Sequence, residues 1–272
     1  MKHYNLIGGP FQHAHCSTWW KVPELVKWHY ESDKYDESVY VDLQIRKGVD
    51  QKDDGKRKFG WILESRFISH SIVNDLLEHL PQYKEAYEFI LTHYKPLLDL
   101  DPEFFKWCPA YAHAIEEPGL HPKKKLCSMI TSNKTFTEQQ VYRVGIANKF
   151  KDKIDLLGRG FNPIDKKEEG LIDYMFSIAI ENDSYESYFT EKITDCFACG
   201  TVPIYKGTPD IGDFFNLDGI IILDEDFTPD QLSADLYTSK KDAIKDNYER
   251  TRKVDILDDW IYNTYLKHYG NN

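Results

Sequence analysis

Residues 175–205, MFSIAIENDSYESYFTEKITDCFACGTVPIY, decide how the chain is read. The apolar run at 175–181 predicts a buried strand that ends in Glu181. A polar, tyrosine-rich loop follows. Thr190 then suits the N-cap of a helix over 191–199, and VPIY at 202–205 reads as the next strand. Strand, helix and strand in this order predict a parallel sheet with a crossover helix. Such sheets bind ligands at the carboxyl ends of their strands, which is where the loop and the first helical turn fall. Lys192 lies in that turn, where the helix dipole disfavours a cation by about 0.3–1 kcal/mol. A phosphate at the helix start would accept backbone N–H groups and also meet the lysine ammonium. Glu191, an acceptor only, suits ribose hydroxyls. The same two residues also read as an ordinary exposed ion pair.

Outward from this stretch the alternation continues. Strands are expected at 126–131, 154–158 and 219–223, a helix at about 137–150, and a helical tail from Thr228. In the first half, YNLIGG at 4–9 predicts a strand and glycine turn, 22–29 a helix, and 38–45 a β-rich run. The charged segment 46–58 predicts a loop, 58–65 a strand leaving at Glu64, 72–80 a helix, and 87–93 another strand. EEPGLHPKKK at 116–125 has the composition of a linker, so the domains are expected at 1–122 and 123–255. The helix of 256–272 is expected to pack back toward the first domain.

Composition bounds the function. A chain of 272 residues with 41% apolar and 14% aromatic residues can build two packed cores. Its formal charge of -11 opposes binding to nucleic acid or to an anionic membrane surface. No run approaches the roughly 18 apolar residues of a membrane span. Five cysteines without a secretory leader predict reduced thiols and a cytoplasmic setting. Cys196 and Cys199 have redox spacing but fall inside the helix, so they are expected to be core.

The central stretch resembles a known family. Glu181-Asn182, Tyr188-Phe-Thr-Glu-Lys192, Gly200-Thr-Val-Pro-Ile-Tyr205, Gly207-Thr-Pro209 and Phe215 look like the donor-binding signature of the α1,3-fucosyltransferases, glycosyltransferase family 10. VYRVGIANKFKDKIDLLGRGFN at 141–162 is similar to the family's arginine-bearing helix and following strand, with Arg143 as the matching arginine. FGWILESRFISHS at 59–71 resembles the segment where the family has a strand, an acidic residue and a serine-containing loop, with Glu64 as the matching acid. The resemblance is good from about 123 to 225, thin near 58–71 and absent elsewhere in the first half. Unlike vertebrate members, the chain reads without anchor or stem.

The resemblance implies a GT-B fold, two Rossmann-like α/β domains facing a central cleft, with inverting transfer of fucose from GDP-fucose to a hydroxyl of a glycan acceptor. By position, Lys192 and Arg143 would neutralise the diphosphate, Glu191 and Asn182 would take the ribose, Tyr188 would line the donor pocket, and Glu64 would be the general base. Inverting transfer needs a base on the acceptor side and positive charge on the leaving-group side, which assigns the two tasks to different domains. The implied cofactor set has no obligatory metal, although a diphosphate can recruit a divalent ion from solution. Two other readings stay open: the same fold with another nucleotide sugar, and a glycan- or nucleotide-binding protein without catalysis. Arg159 and Lys206 are rival cations for the diphosphate. Glu64 also reads as an ion-pair partner of Arg66, and the turn 8–15 with His13 and His15 as an acceptor-side loop. His93 reads as a structural histidine at a strand end.

Overall fold

A computed structural model describes residues 1–9, 16–17 and 21–269. The chain divides into two compact units, one of Met1–Tyr111 with Ile256–Asn272 and one of Ala112–Asp255. In the first unit the strands are β1 (Lys2–Ile7), β2 (Val26–Tyr30), β3 (Glu37–Val41), β4 (Arg57–Trp61), β5 (Phe89–Thr92) and β6 (Phe105–Trp107). They form one sheet in the order β2-β1-β3-β4-β5-β6, and every neighbouring pair is parallel. Helices α1 (Ile45–Asp50), α2 (His70–Ala86) and α3 (Lys95–Leu100) make the successive crossovers from β3 to β6. Their apolar faces close a core that includes Tyr40, Ile62, Leu76, Ile90 and Phe105.

The second unit repeats the plan with β7 (Lys125–Ile130), β8 (Asp155–Leu157), β9 (Tyr174–Ile180), β10 (Val202–Lys206) and β11 (Ile221–Ile222). The parallel order is β11-β10-β9-β7-β8. Helices α4 (Glu138–Phe150) and α5 (Glu191–Ala198) cross between strands, and the short α6 (Ile211–Phe214), α7 (Ala234–Ser239) and α8 (Lys241–Arg252) follow. Met129, Ile146, Phe176, Ile178, Val202 and Ile204 belong to its core. Gly207 packs so tightly that an added Cβ would meet the Tyr205 hydroxyl at 2.1 Å and Glu181 Cγ at 2.6 Å. A side chain there would push apart the ends of β9 and β10.

Several expectations are corrected. The stretch 22–29, read as a helix, contributes the edge strand β2, whose Val26 and Trp28 sit beside Lys2 and Tyr4 of β1. Its spacing of apolar residues fits either period, and pairing along β1 decides between them. The start of the charged segment 46–58 is helical, as α1, because Ile45 and Gly48 are buried against the unit. Strand β4 stops at Trp61, so Glu64 lies three residues beyond it. No sequence period marks strand β6, whose three residues are too few to show one.

The division between units falls ahead of the stretch 116–125, which packs within the second unit. Gly119 N–H donates to the Ala198 carbonyl at 2.8 Å, and Lys123 Nζ donates to the carbonyls of Ile172 at 2.9 Å and Cys199 at 2.7 Å. Those buried carbonyls need donors, and a proline- and lysine-rich segment supplies them. The C-terminal helix α9 (Leu257–Thr264) belongs to the first unit. Buried Asp258 accepts from Ser17 Oγ at 2.9 Å and Trp28 Nε1 at 2.5 Å. Asp259 accepts the backbone N–H groups of Glu24 and Leu25, which enter the edge strand β2. Among the described residues no helix is long and apolar enough to cross a membrane.

Candidate functional site

In the second unit the chain leaves β7 for β8 on one side and returns to β9 on the other. The point between β7 and β9 is therefore a topological switch, where a parallel sheet opens a crevice beyond its strand ends. A cavity of about 360 Å³ lies there, lined by Ile130 and Thr131 of the β7 end, Ile180 and Asn182 of the β9 end, Arg143 of α4 and Lys192 of α5, among others.

Helix α5 is fastened to the end of β9 by Glu181. This carboxylate, fully buried, accepts Thr190 N–H at 2.9 Å and Thr190 Oγ at 2.7 Å, and lies 3.3 Å from Lys192 Nζ. Thr190 caps the helix by accepting Lys192 N–H. Lys192 Nζ also reaches Thr190 Oγ at 2.9 Å and lies 3.8 Å from Glu191. The position that the dipole disfavours is thus held by a buried acid and a hydroxyl.

Helix α4 begins at Thr137, whose Oγ accepts Gln140 N–H at 3.0 Å and donates to the Asn182 carbonyl at 3.2 Å. Two turns on, Arg143 is buried and its Nη1 donates to Asn182 Oδ1 at 3.0 Å. Its Nε has no hydrogen-bond partner among the described residues. Burial lowers the guanidinium's proton affinity, while Glu181 and Glu191 oppose that shift. A buried guanidinium with an unmet donor is costly unless an acceptor arrives.

Lys167, in the charged stretch 165–170, also lines the cavity. Its Nζ is 2.7 Å from Asp195 and 3.3 Å from Glu191. Burial works against its charge, and the two carboxylates hold its ammonium above the usual lysine range. Burial likewise works to raise the Glu191 carboxyl, but Lys167 and Lys192 together hold it well below the usual carboxylate range. Burial pushes Asp195 up to about 6, against the pull of Lys167. The lining holds four cationic side chains, Lys134, Arg143, Lys167 and Lys192, against the carboxylates Glu191 and Asp195, a formal excess of two positive charges.

Of the residues singled out from sequence, Arg143, Asn182, Glu191 and Lys192 share this cavity. Tyr188 does not line it; the ring is buried and stacked on Tyr185 at 4.8 Å, because the loop turns it into the fold. The rivals are also elsewhere: Arg159 is exposed, and Lys206 lies over the Tyr142 ring at 4.9 Å. Lys167 and Asp195 were missed, because each becomes part of the site only through packing from a separate segment. Cys196 borders the cavity, and all five cysteines are buried and outside any disulfide. Among the described residues no group of three or more His, Cys, Asp and Glu could hold a metal ion. His13 and His15 lie outside the described residues.

Glu64 belongs to the first unit and is partly exposed on the loop after β4. Its carbonyl faces His93 Nε2 at 3.2 Å. Burial lowers the His93 imidazole from 6.5 to about 4, although bonds to the backbone of Leu63 and Glu64 favour its charge. Between those values the unfolded chain holds more protons, so stability is full above pH 6.5 and is lost as pH falls toward 4. Replacing His93 with Gln should flatten this part of the pH dependence in urea titrations. An unchanged slope would show that the histidine does not titrate this way.

Residues 120–253 match the family described as "Glycosyltransferase family 10 (fucosyltransferase) C-term". The chain is 40% identical over 57 residues to "Alpha-(1,3)-fucosyltransferase FucT" of Helicobacter pylori. That match takes in 21% of this chain and only 12% of the relative's length. The fold is similar to that of a crystal structure of an α1,3-fucosyltransferase, with a TM-score of 0.50 at 14% identity. This likeness covers 90% of the chain and 80% of that structure. Both parallel-sheet units are thus of the Rossmann-like kind found in GT-B glycosyltransferases.

Proposed function

We propose, from the premise that residues 120–253 form a glycosyltransferase family 10 domain, that this protein transfers fucose from GDP-fucose to a hydroxyl of a glycan acceptor with inversion. The observation that carries this reading is the cavity at the β7–β9 switch, whose lining has two more cations than carboxylates and includes the unmet Arg143 Nε. A diphosphate diester is dianionic and rich in acceptors, so it would meet both the charge and the unsatisfied donor.

In this reading Arg143 and Lys192 neutralise the charge that grows on the diphosphate as the glycosidic bond to fucose breaks. Lys167 adds a third cation and orients Glu191 through their ion pair at 3.3 Å. Glu191 and Asn182 take the ribose hydroxyls, Asn182 being oriented by its bond from Arg143. Tyr188 supports the loop from behind. Glu64 removes the proton from the acceptor hydroxyl as it attacks the anomeric carbon. The buried, unbridged thiols support a reducing, cytoplasmic setting.

Thermal unfolding with GDP, UDP and CDP tests the donor. GDP at a hundred times its Kd should stabilise the protein by about 3 kcal/mol, with little effect from the pyrimidine nucleotides. Equal shifts for all three, or none, would sink the assignment.

A further inference from the structure

The loop that carries Glu64 is held by both neighbouring strands after their ladders have ended. Strands β3 and β4 pair as far as Val41 opposite Trp61, and β4 and β5 as far as Trp61 opposite Leu91. Ile62 N–H still reaches the Leu91 carbonyl at 2.8 Å. Beyond this point side chains replace the ladder. On the β3 side, Asp42 Oδ1 accepts the backbone N–H groups of Leu63 at 2.9 Å and Glu64 at 3.1 Å, with Ser69 Oγ at 3.4 Å. On the β5 side, His93 Nε2 faces the Glu64 carbonyl at 3.2 Å. Both polar groups of the Glu64 main chain are thereby engaged from opposite edges of the strand.

Two features set this apart from ordinary loop bonding. Asp42 adopts a φ of +50°, a left-handed region that most residues with a Cβ avoid and aspartate tolerates, and in that conformation a single oxygen spans two consecutive N–H groups. His93 is completely buried at the end of β5, and a buried ring needs its nitrogen met. A left-handed aspartate and a buried imidazole converge on one residue, the partly exposed acid.

We infer that Asp42 and His93 are positioning residues, which fix the main chain of Glu64 so that its carboxylate meets the acceptor hydroxyl at one reach and angle. This rests on Glu64 being the general base of the proposed reaction. Proton abstraction depends steeply on placement, and an error of about 1 Å can cost on the order of a hundredfold in rate. The device therefore acts on kcat and leaves donor affinity alone.

Asp42→Gly removes the carboxylate while suiting the positive φ, and Asp42→Asn retains an acceptor and also tolerates that φ. Turnover is read as GDP released from GDP-fucose, with water and with a panel of neutral oligosaccharides as acceptors. Hydrogen exchange reports the Leu63 and Glu64 amides. Asp42→Gly should lower kcat by on the order of a hundredfold, leave the Kd for GDP within about twofold, and speed exchange at both amides. Asp42→Asn should recover at least about tenfold of that loss. Should Asp42→Gly fail to fold, His93→Phe, which keeps a ring and removes the donor, should show the same split between kcat and GDP affinity. Retained kcat in the variant tested, or equal losses in Asp42→Gly and Asp42→Asn, would overturn the inference, as would a loss shared by GDP binding. Glu64→Gln, assayed in parallel, separates the two claims. If it is inactive while Asp42→Gly turns over normally, only the positioning role fails. If Glu64→Gln turns over normally, or the unaltered protein releases no GDP, the base assignment fails and this inference with it.

Discussion

Glu64→Gln is expected to lower transfer from GDP-fucose by on the order of 10²–10⁴-fold while GDP binds as before. The amide has nearly the shape of the carboxylate, and the main-chain bonds to Asp42 and His93 do not involve the side chain. What it loses is the ability to accept a proton from the attacking hydroxyl. GDP affinity is expected to persist because every residue that lines the cavity belongs to the second unit, and Glu64 to the first. Single-turnover rates and calorimetric titration with GDP measure the two quantities separately. Turnover at the unaltered rate would remove Glu64 as base. Loss of both turnover and GDP binding would point to a folding defect.

Lys192→Ala is expected to weaken GDP binding by about 2–4 kcal/mol, roughly 30- to 1000-fold. It should also lower stability by about 1–3 kcal/mol. The second effect arises because Glu181 is fully buried, and the change leaves its charge with Thr190 as its one side-chain donor among the described residues. The figure lies below that for a fully buried pair because the Lys192 side chain is 22% exposed. Lys192→Arg keeps the charge and should restore much of the stability, while its planar, longer head changes how it meets a diphosphate. Urea titrations and GDP calorimetry on both variants distinguish these terms. Unchanged GDP affinity in Lys192→Ala would exclude this lysine from the donor site.

The region around β9, α5 and β10 was the most readable because its determinants are local. An apolar run made the strand, Thr190 the cap, and the strand that follows Gly200 closed the unit. Recognition of Arg143 needed the family resemblance, since nothing in a single arginine on a helix distinguishes it. The stretch 22–29 was misread because an edge strand and an amphipathic helix can share the same short pattern. Its pairing partner is 24 residues away, and the acid that meets its entry, Asp259, is more than 230 residues away. The linker reading of 116–125 failed for a related reason: Gly119 and Lys123 there donate to carbonyls of the second unit that composition does not reveal.

By itself the sequence determined two parallel α/β units and put Glu191 and Lys192 at the start of a helix beyond a strand end. These follow from periodicity and capping, which act over a few residues. Only the tertiary structure decided that β9 returns on the far side of β7 and opens the crevice between them. It also brought Lys167 and Asp195 to the same cavity, packed Tyr188 on Tyr185 instead of in its lining, and tied the Glu64 main chain to Asp42 and His93. Strand order and the convergence of buried charges depend on which distant segments pack together. That choice is made by burial and hydrogen-bond satisfaction over the whole unit, and no short window of residues contains it.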